Sequence, residues 1–500
     1  MTEAGLEGRL RKPARAQQGV SNRMSFTSPI FFLFLFLTVV VFHLSANTSY
    51  RKSVLAVANL VFIASYATAW FQLVPLVAFL VLGYLLVRLA HNLRTEAAMA
   101  VALVFVLAVY VFLKQFFFLH SYSLPFVYTV IGLSYILFRI VHLIVDVSSG
   151  EIDSPPGPLA FFRYTCNFLC FVSGPIQTWT EFRTDEEEGL TAPLDSNTVF
   201  KAFERVTVGL LKVAVIAASA DYLYENLSVQ ILPADQAGHG IGFHLKYGVA
   251  AASYTAYLYY NFSGYMDIVI GVGWLLGQKL PENFDRPFIA RNFLEFWQRW
   301  HMTLSLWFKA YVFTPLMMQM VRLFPSPSAT AAIGIFCFFV TFLLMGIWHG
   351  STTVFVIYGL LMGLGASVNK LWQVAANARL GKKTYRMLQE HWLYADLSRG
   401  LTFAYFTMAL TCLWVTDLGQ FVLLATRLGL AGMIMVLLGL LLGFSLLFRP
   451  YQALMLGAHK LAQRTSSKPM DNLLLASRVL LVFFFMGLLN KTPEFVYKAF

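Results

Sequence analysis

Charge is what this sequence has least of. Only 12% of its 500 residues are Asp, Glu, Lys or Arg, about half the share of an ordinary soluble domain, while 58% are hydrophobic. That balance excludes a water-soluble fold and places most of the chain in lipid. Acidic residues are the scarcer sign, 25 against 37 basic. In a polar protein this surplus would point to nucleic acid. Here the basic residues lie between apolar runs, where they suit anionic headgroups, so the bilayer is the expected partner and nucleic acid is not. Cysteine is also rare. Cys166, Cys170, Cys337 and Cys412 each sit inside an apolar stretch, which argues against a disulfide framework. Cys166 and Cys170 would share a face of a continuous helix, yet no second Cys/His pair stands near them. They read as small buried hydrophobes, and no metal is expected. The sequence has neither a G-x-S-x-G elbow nor a P-loop, so a covalent serine hydrolase and a nucleotide-driven pump lack support. It also shows no internal repeat of the kind many transporters carry.

What is present is a succession of apolar runs. A span needs about 20 mostly apolar residues. Candidates lie near 28–45, 53–71, 73–90, 97–119, 125–146, 160–179, 204–226, 246–276, 330–347, 352–373, 397–416, 419–447 and 472–489. The expectation is an all-α polytopic membrane protein of about eleven to thirteen spans. The stretches 160–180 and 290–320 carry too many polar groups for simple lipid-facing helices, which suggests reentrant or interfacial elements. Segments 181–197, with the acidic run Asp185 to Glu188, and 375–396 read as polar loops too short to fold alone. Residues 1–23 are basic and lack apolar periodicity, which predicts a disordered tail or start-site extension. The run after Met24 is too long for a cleavable signal peptide and has no small-residue cleavage pattern. Residues 24–500 then form a single membrane-embedded domain. The basic tail argues for a cytoplasmic N-terminus, whereas Arg51/Lys52 and Arg88/Arg94 in alternate short loops argue for an outward one. The loops agree with each other, and the N-terminus is expected outside.

The stretch most crowded with polar groups runs from Tyr259 to Leu316. As a helix from about Asn292 it would pair Glu295 with Arg299 at i, i+4 and gather Phe293, Phe296, Trp297 and Trp300 on one aromatic face. Tryptophan with arginine suits a membrane interface or a funnel wall. His301 follows Trp300, and Thr303 and Ser305 add hydroxyls. An unpaired buried polar group costs about 1–3 kcal/mol. Such a cluster therefore marks either a wet cavity with a reactive site or a histidine that merely bridges two helices. Further on, His349 is nearly the sole ionisable group in a long apolar stretch, bracketed by Gly346 and Gly350 and preceded by Trp348. A lone histidine on an apolar helix is often a satisfied core residue. The two glycines here make room for close approach of a backbone or a ligand. A neutral imidazole is also a natural general base for an alcohol attacking a thioester.

The segment FLEFWQRWHMTLSLWF, followed about 48 residues after its histidine by GIWHG, resembles the membrane-bound O-acyltransferase superfamily. Within it the chain is similar to the bacterial branch of the alginate O-acetyltransferase membrane subunit and the teichoic-acid D-alanylation protein. MSFTSPIFFLFLFL, GLSYILFR at 132–139, SGPIQ at 173–177, NFSGYMD at 261–267 and TPEFVYKAF add to the match. The resemblance implies a ring of tilted helices around a central funnel. It makes His349, in W-H-G, and His301, in R-W-H, the catalytic pair. Trp300, Trp348, Arg299, Arg286, Arg291, Ser305 and Asp267 are candidates for substrate or donor contact. Arg286, Arg291, Arg299 and Lys309 would meet either the phosphates of coenzyme A or lipid headgroups. Lys309 and Ala310 stand where alginate-type relatives carry Arg-Asp, and Asn261 stands where an aspartate often precedes F-S-G-Y.

The implied function is transfer of a short acyl group, acetyl from acetyl-coenzyme A, across a bacterial inner membrane towards hydroxyls of an envelope polysaccharide. The acyl thioester, on coenzyme A or a carrier protein, is a co-substrate, and no tightly bound cofactor is expected. A periplasmic SGNH-type acyltransferase or other acyl-accepting protein is the expected partner. Two alternatives stand beside this. One is D-alanyl transfer from a carrier protein. The other is a flippase for lipid-linked saccharides, which would bind substrate without turning over a thioester.

Overall fold

The computed structural model describes residues 24, 28–232 other than 120 and 123, 240–465, 475–482 and 484. The basic tail and the TPEFVYKAF ending lie outside the described residues, and the 472–489 candidate lies largely outside them. What is described is almost wholly helical, with a lone β-bridge between Phe284 and Trp300. The helices are α1 (Pro29–His43), α2 (Thr48–Ala64), α3 (Val74–Leu93), α4 (Glu96–Leu113), α5 (Leu133–Ser149), α6 (Pro158–Thr165), α7 (Trp179–Gly189), α8 (Ser196–Leu211) and α9 (Ala218–Ile231). After the 35-residue α10 (Ile241–Leu275) come two short helices, α11 (Phe293–Trp297) and α12 (Met302–Phe308), then α13 (Thr314–Leu323). The chain continues through α14 (Thr330–Trp348), α15 (Thr353–Leu380), α16 (Lys382–Glu390), α17 (Trp392–Ala409) and α18 (Leu418–Thr465), which kinks at Gly429.

Among the described residues, six helical segments are long and apolar enough to cross a membrane: Trp70–Leu93, Glu96–Leu113, Ser196–Ile231, Thr330–Trp348, Thr353–Leu380 and Leu418–Leu454. Of the other expected spans, 28–45, 53–71, 246–276 and 397–416 fall largely on α1, α2, α10 and α17, and two take different forms for physical reasons. The 160–179 candidate ends its helix at Thr165 and continues as irregular, buried chain, so Cys166 and Cys170 share no helix face. The 125–146 candidate becomes the shorter α5, which buries Arg139, His142 and Asp146 in protein. Arg139 donates to the carbonyls of Tyr164 and Thr165 at 2.7 and 2.9 Å, capping the end of α6.

The two expected polar loops are helical. In α7, Thr178 and Glu181 form a reciprocal capping box. Each residue of the acidic run has a partner. Asp185 accepts from Gln177, Glu186 holds Arg163 in a two-pronged pair, Glu187 meets Arg183 and Glu188 meets Lys279. The run is therefore a clamp on the neighbouring helices rather than a solvated loop. Residues 375–396 are the end of α15, all of α16 and the start of α17.

The ends of the helices sort into two faces. At one, His43 reaches the carbonyl of Leu275, Lys52 meets Glu186, Arg94 reaches the carbonyl of Asp153, and Arg449 meets Asp396. At the other, Tyr66, Gln72, Lys114 and residues 127–132 surround one cavity, and the Phe117 peptide N–H donates to Ser351 between α14 and α15. Glycines set two close crossings. A Cβ on Gly264 would lie 2.7 Å from the Gly209 carbonyl, so α10 and α8 touch backbone to backbone. A Cβ on Gly346 would lie 2.1 Å from the Gly359 Cα, and the same holds for α14 against α15.

Candidate active site

His301 does not lie on the continuous helix that its sequence predicts. α11 ends at Trp297, and His301 takes a left-handed conformation (φ 45°) before α12 restarts at Met302. A non-glycine residue held there costs energy that its surroundings must supply. They do so through Asn283. Its Oδ1 accepts the Thr303 peptide N–H at 3.1 Å and the Thr303 hydroxyl at 2.9 Å. A peptide N–H can only donate, so this atom is an acceptor, and the His301 Nδ1 at 3.2 Å from it must donate. The neutral ring then carries its lone pair on Nε2. Thr303 also accepts the Ile176 peptide N–H at 3.1 Å, which ties in the SGPIQ segment. From NFSGYMD, Phe262 sets its ring edge-to-face with the imidazole at 4.9 Å, and the Met266 sulfur accepts from the Asn283 amide at 3.7 Å. Two separate motifs and Asn283 therefore converge on the posture of one histidine.

His349 caps the end of α14, buried, with Trp348 at 4.9 Å and Tyr358 at 5.6 Å between ring centres. The bracketing glycines serve packing. Gly346 admits α15, and a Cβ on Gly350 would strike the Phe355 ring at 2.1 Å. The two imidazoles are within electrostatic reach of each other.

His349 borders one cavity, and residues next to His301 border another. His349 and Trp348 line a chamber of about 220 Å³ at one face, walled by Tyr66, Gln72, Lys114, Thr129, Ser134 and Tyr135. Gly132, Ser134 and Tyr135 belong to the GLSYILFR motif, and its Phe138 ring meets Trp348 at a tilt, 4.8 Å between centres. Met302 and Ser305, just beyond His301, line a second cavity of about 630 Å³ reaching the opposite face, with Asn292, Glu295, Gln298, Lys309 and Lys370 on its walls. His301 itself is buried and lines neither cavity. Such a site can receive one reactant from each side and move a proton between them.

The remaining candidates are distributed unevenly. Ser305 lines the larger cavity. Trp300 is buried among Phe296, Phe284, Tyr259 and Phe406, so it supports the His301 turn rather than lining a funnel. Arg299 pairs with Glu295, as its spacing predicts, and with Asp285 at 2.7 Å. Arg286 is exposed and meets Asp285. Arg291 is exposed, with its peptide N–H held by Glu295 and its carbonyl by Ser398. Asp267 sits between Arg205 and Lys212 on α10, away from both cavities. Neighbouring acids thus partner much of the basic cluster.

Sequence reading missed Asn283, whose neighbours give no hint of its three contacts, and a buried group formed by His142, Asp146 and Tyr311. The Trp179 peptide N–H donates to His142 Nε2 at 2.8 Å, which leaves the proton on Nδ1, facing Asp146 at 3.0 Å and the Tyr311 hydroxyl. The i, i+4 spacing of His142 and Asp146 was the available signal. This group joins α5 to the π-turn Lys309–Phe313 that carries Lys309 into the larger cavity.

Relatives carry matching names. The chain is 32% identical over 233 residues to a teichoic acid D-alanyltransferase of Bacillus subtilis, covering 46% of this chain and 56% of that protein. A second D-alanyltransferase, from Streptococcus thermophilus, is 31% identical over 48% of this chain and 57% of its own length. The aligned stretch thus spans just over half the length of these two curated relatives. A probable alginate O-acetylase AlgI of Azotobacter vinelandii is 28% identical over 393 residues, 75% of this chain and 73% of that one. Residues 23–395 match the model of MBOAT, the membrane-bound O-acyltransferase family, and the chain is a multi-pass membrane protein belonging to that family.

Proposed function

We propose that this protein transfers a short acyl group from a cytoplasmic thioester to a hydroxyl presented at the outer face of a bacterial inner membrane, with envelope polysaccharide as its eventual destination. The observation that carries the reading is that His349 lines a chamber at one face, while Met302 and Ser305, next to His301, line a cavity reaching the opposite face. The thioester enters the larger cavity, where Lys309 and Lys370 supply cationic groups for a phosphorylated carrier. The acceptor hydroxyl enters the chamber beside His349. His349 takes the hydroxyl proton as the oxygen bonds to the acyl carbon. The carbon–sulfur bond then breaks, and the proton passes to the departing thiolate. His301, its tautomer fixed by Asn283, holds a lone pair towards the reacting groups.

Acetyl from acetyl-coenzyme A is the favoured donor, because an acetylase relative aligns over 75% of this chain, against 46% to 70% for the D-alanyltransferases. D-alanyl transfer from a carrier protein is the second reading, favoured by the higher identity to the D-alanyltransferases over a shorter stretch. A periplasmic SGNH-type acyltransferase is the proposed recipient or relay. The test is thiol release from acetyl-coenzyme A by purified protein with acceptor present. His349→Ala should lower it by at least about a hundredfold, the scale of a lost general base, with no loss of inserted protein. Undiminished turnover in that variant would remove His349 from the mechanism.

A further inference from the structure

The chamber beside His349 contains a cation and no acid to match it. Lys114 is the sole Lys or Arg among the described residues that line it, and none of them is Asp or Glu. The Lys114 side chain is part-buried in the chamber wall. Lys114 follows the apolar α4 as its C-cap, with its peptide N–H donating to the Tyr110 carbonyl at 2.8 Å. A lysine at a helix C-terminus complements the helix dipole and often stretches to headgroup water. Those roles account for a basic residue at this position. They do not account for its place in the wall of an enclosed chamber with Tyr66, Gln72, Thr129, Ser134 and His349. A partly desolvated ammonium facing only hydroxyls, amides and aromatic rings is satisfied best by a negative group that enters the chamber. The same negative group would lie near His349 and offset the positive charge that forms there when it takes a proton.

We propose that Lys114 is an anion-recognising residue, and that the acceptor entering this chamber carries a carboxylate or phosphate close to the hydroxyl to be acylated. That the anion belongs to an acceptor rests on the acyl-transfer reading; the anion site itself does not. Two carriers of the same chemistry, a uronate-type carboxylate and a phosphate ester, are separated by the test.

The probes are matched pairs: methyl glucuronide against methyl glucoside, and glycerol 3-phosphate against glycerol. Binding is measured first, by quenching of intrinsic tryptophan fluorescence in the His349→Ala protein, where turnover cannot interfere. At least one anionic probe should bind more tightly than its neutral partner. Adding Lys114→Gln should weaken that probe by about tenfold, the scale of one lost charge-assisted hydrogen bond, and Lys114→Arg should restore most of it. Acetyl transfer from acetyl-coenzyme A is then compared in the wild-type and Lys114→Gln enzymes as the ratio of anionic to neutral acceptor use. A purely structural lysine would lower both members of a pair and leave the ratio unchanged. Equal binding of charged and neutral probes, or an unchanged ratio in Lys114→Gln, overturns the proposal. Lys114-dependent anion binding by a protein that transfers no acetyl group would sustain the anion site and sink the acyl-transfer reading.

Discussion

Asn283 has no exposed surface, and one oxygen of its amide accepts from three donors: the Thr303 peptide, the Thr303 hydroxyl and His301 Nδ1. Removing it strips a buried peptide N–H of its partner, at about 1–3 kcal/mol, and frees the imidazole to exchange tautomers. Asn283→Ala is therefore expected to lower kcat by about a hundredfold, the reach of a single misplaced proton-transfer group. The KM for acetyl-coenzyme A should change little, because the larger cavity keeps its lining. A KM effect with normal kcat would assign Asn283 to donor binding instead. At this scale the histidine pair was legible because buried imidazoles are rare in apolar runs and two motifs flanked them. The posture of His301 was not. Its left-handed backbone depends on Asn283, Ile176 and Phe262, which lie elsewhere in the chain, and nothing in the sequence shows that they meet His301.

Elements were legible where length and apolarity alone decide them, as in α3, α4, α14 and α15. They were not legible where burial in protein replaces burial in lipid. α5 carries Arg139, His142 and Asp146, and hydropathy has no means of foreseeing the carbonyls and side chains that satisfy them. Likewise the α7 clamp reads as a polar loop until Arg163 and Lys279 are placed against it. The helix that carries His349 is set by backbone contact. A methyl group at Gly346 would meet the Gly359 backbone, which cannot turn aside as a side chain can. Gly346→Ala should cost about 1–3 kcal/mol, typical of overpacking, and displace His349. Gly443→Ala in α18 meets nothing within 4 Å and should be neutral or slightly stabilising. Scanning fluorimetry of the two variants in detergent checks this contrast, and equal melting temperatures would contradict the proposed α14–α15 seam.

At the scale of the whole molecule, the two faces differ in charge. Arg51, Lys52, Arg94, Lys279 and Arg449 stand at the face of the larger cavity, with Lys382 and Lys383 at the start of α16. The chamber face has far fewer basic groups among the described residues, Lys114 and Arg427 being examples. Positive residues are retained on the cytoplasmic side during insertion, so we propose that the larger cavity faces the cytoplasm and the chamber faces outward. On that orientation α1, which ends with His43 at the basic face, begins outside. The four native cysteines are buried, so an added thiol can be read against a low background. Tyr122, exposed beside the chamber, and Lys383, exposed on α16, are the informative positions. In intact cells whose outer membrane has been made permeable, Tyr122→Cys should react with a membrane-impermeant maleimide, whereas Lys383→Cys should react only after lysis. The opposite pattern would invert the protein in the membrane. The donor would then have to enter through the smaller chamber and the acceptor through the larger one, and the assignment of Lys114 to the acceptor would fall with it.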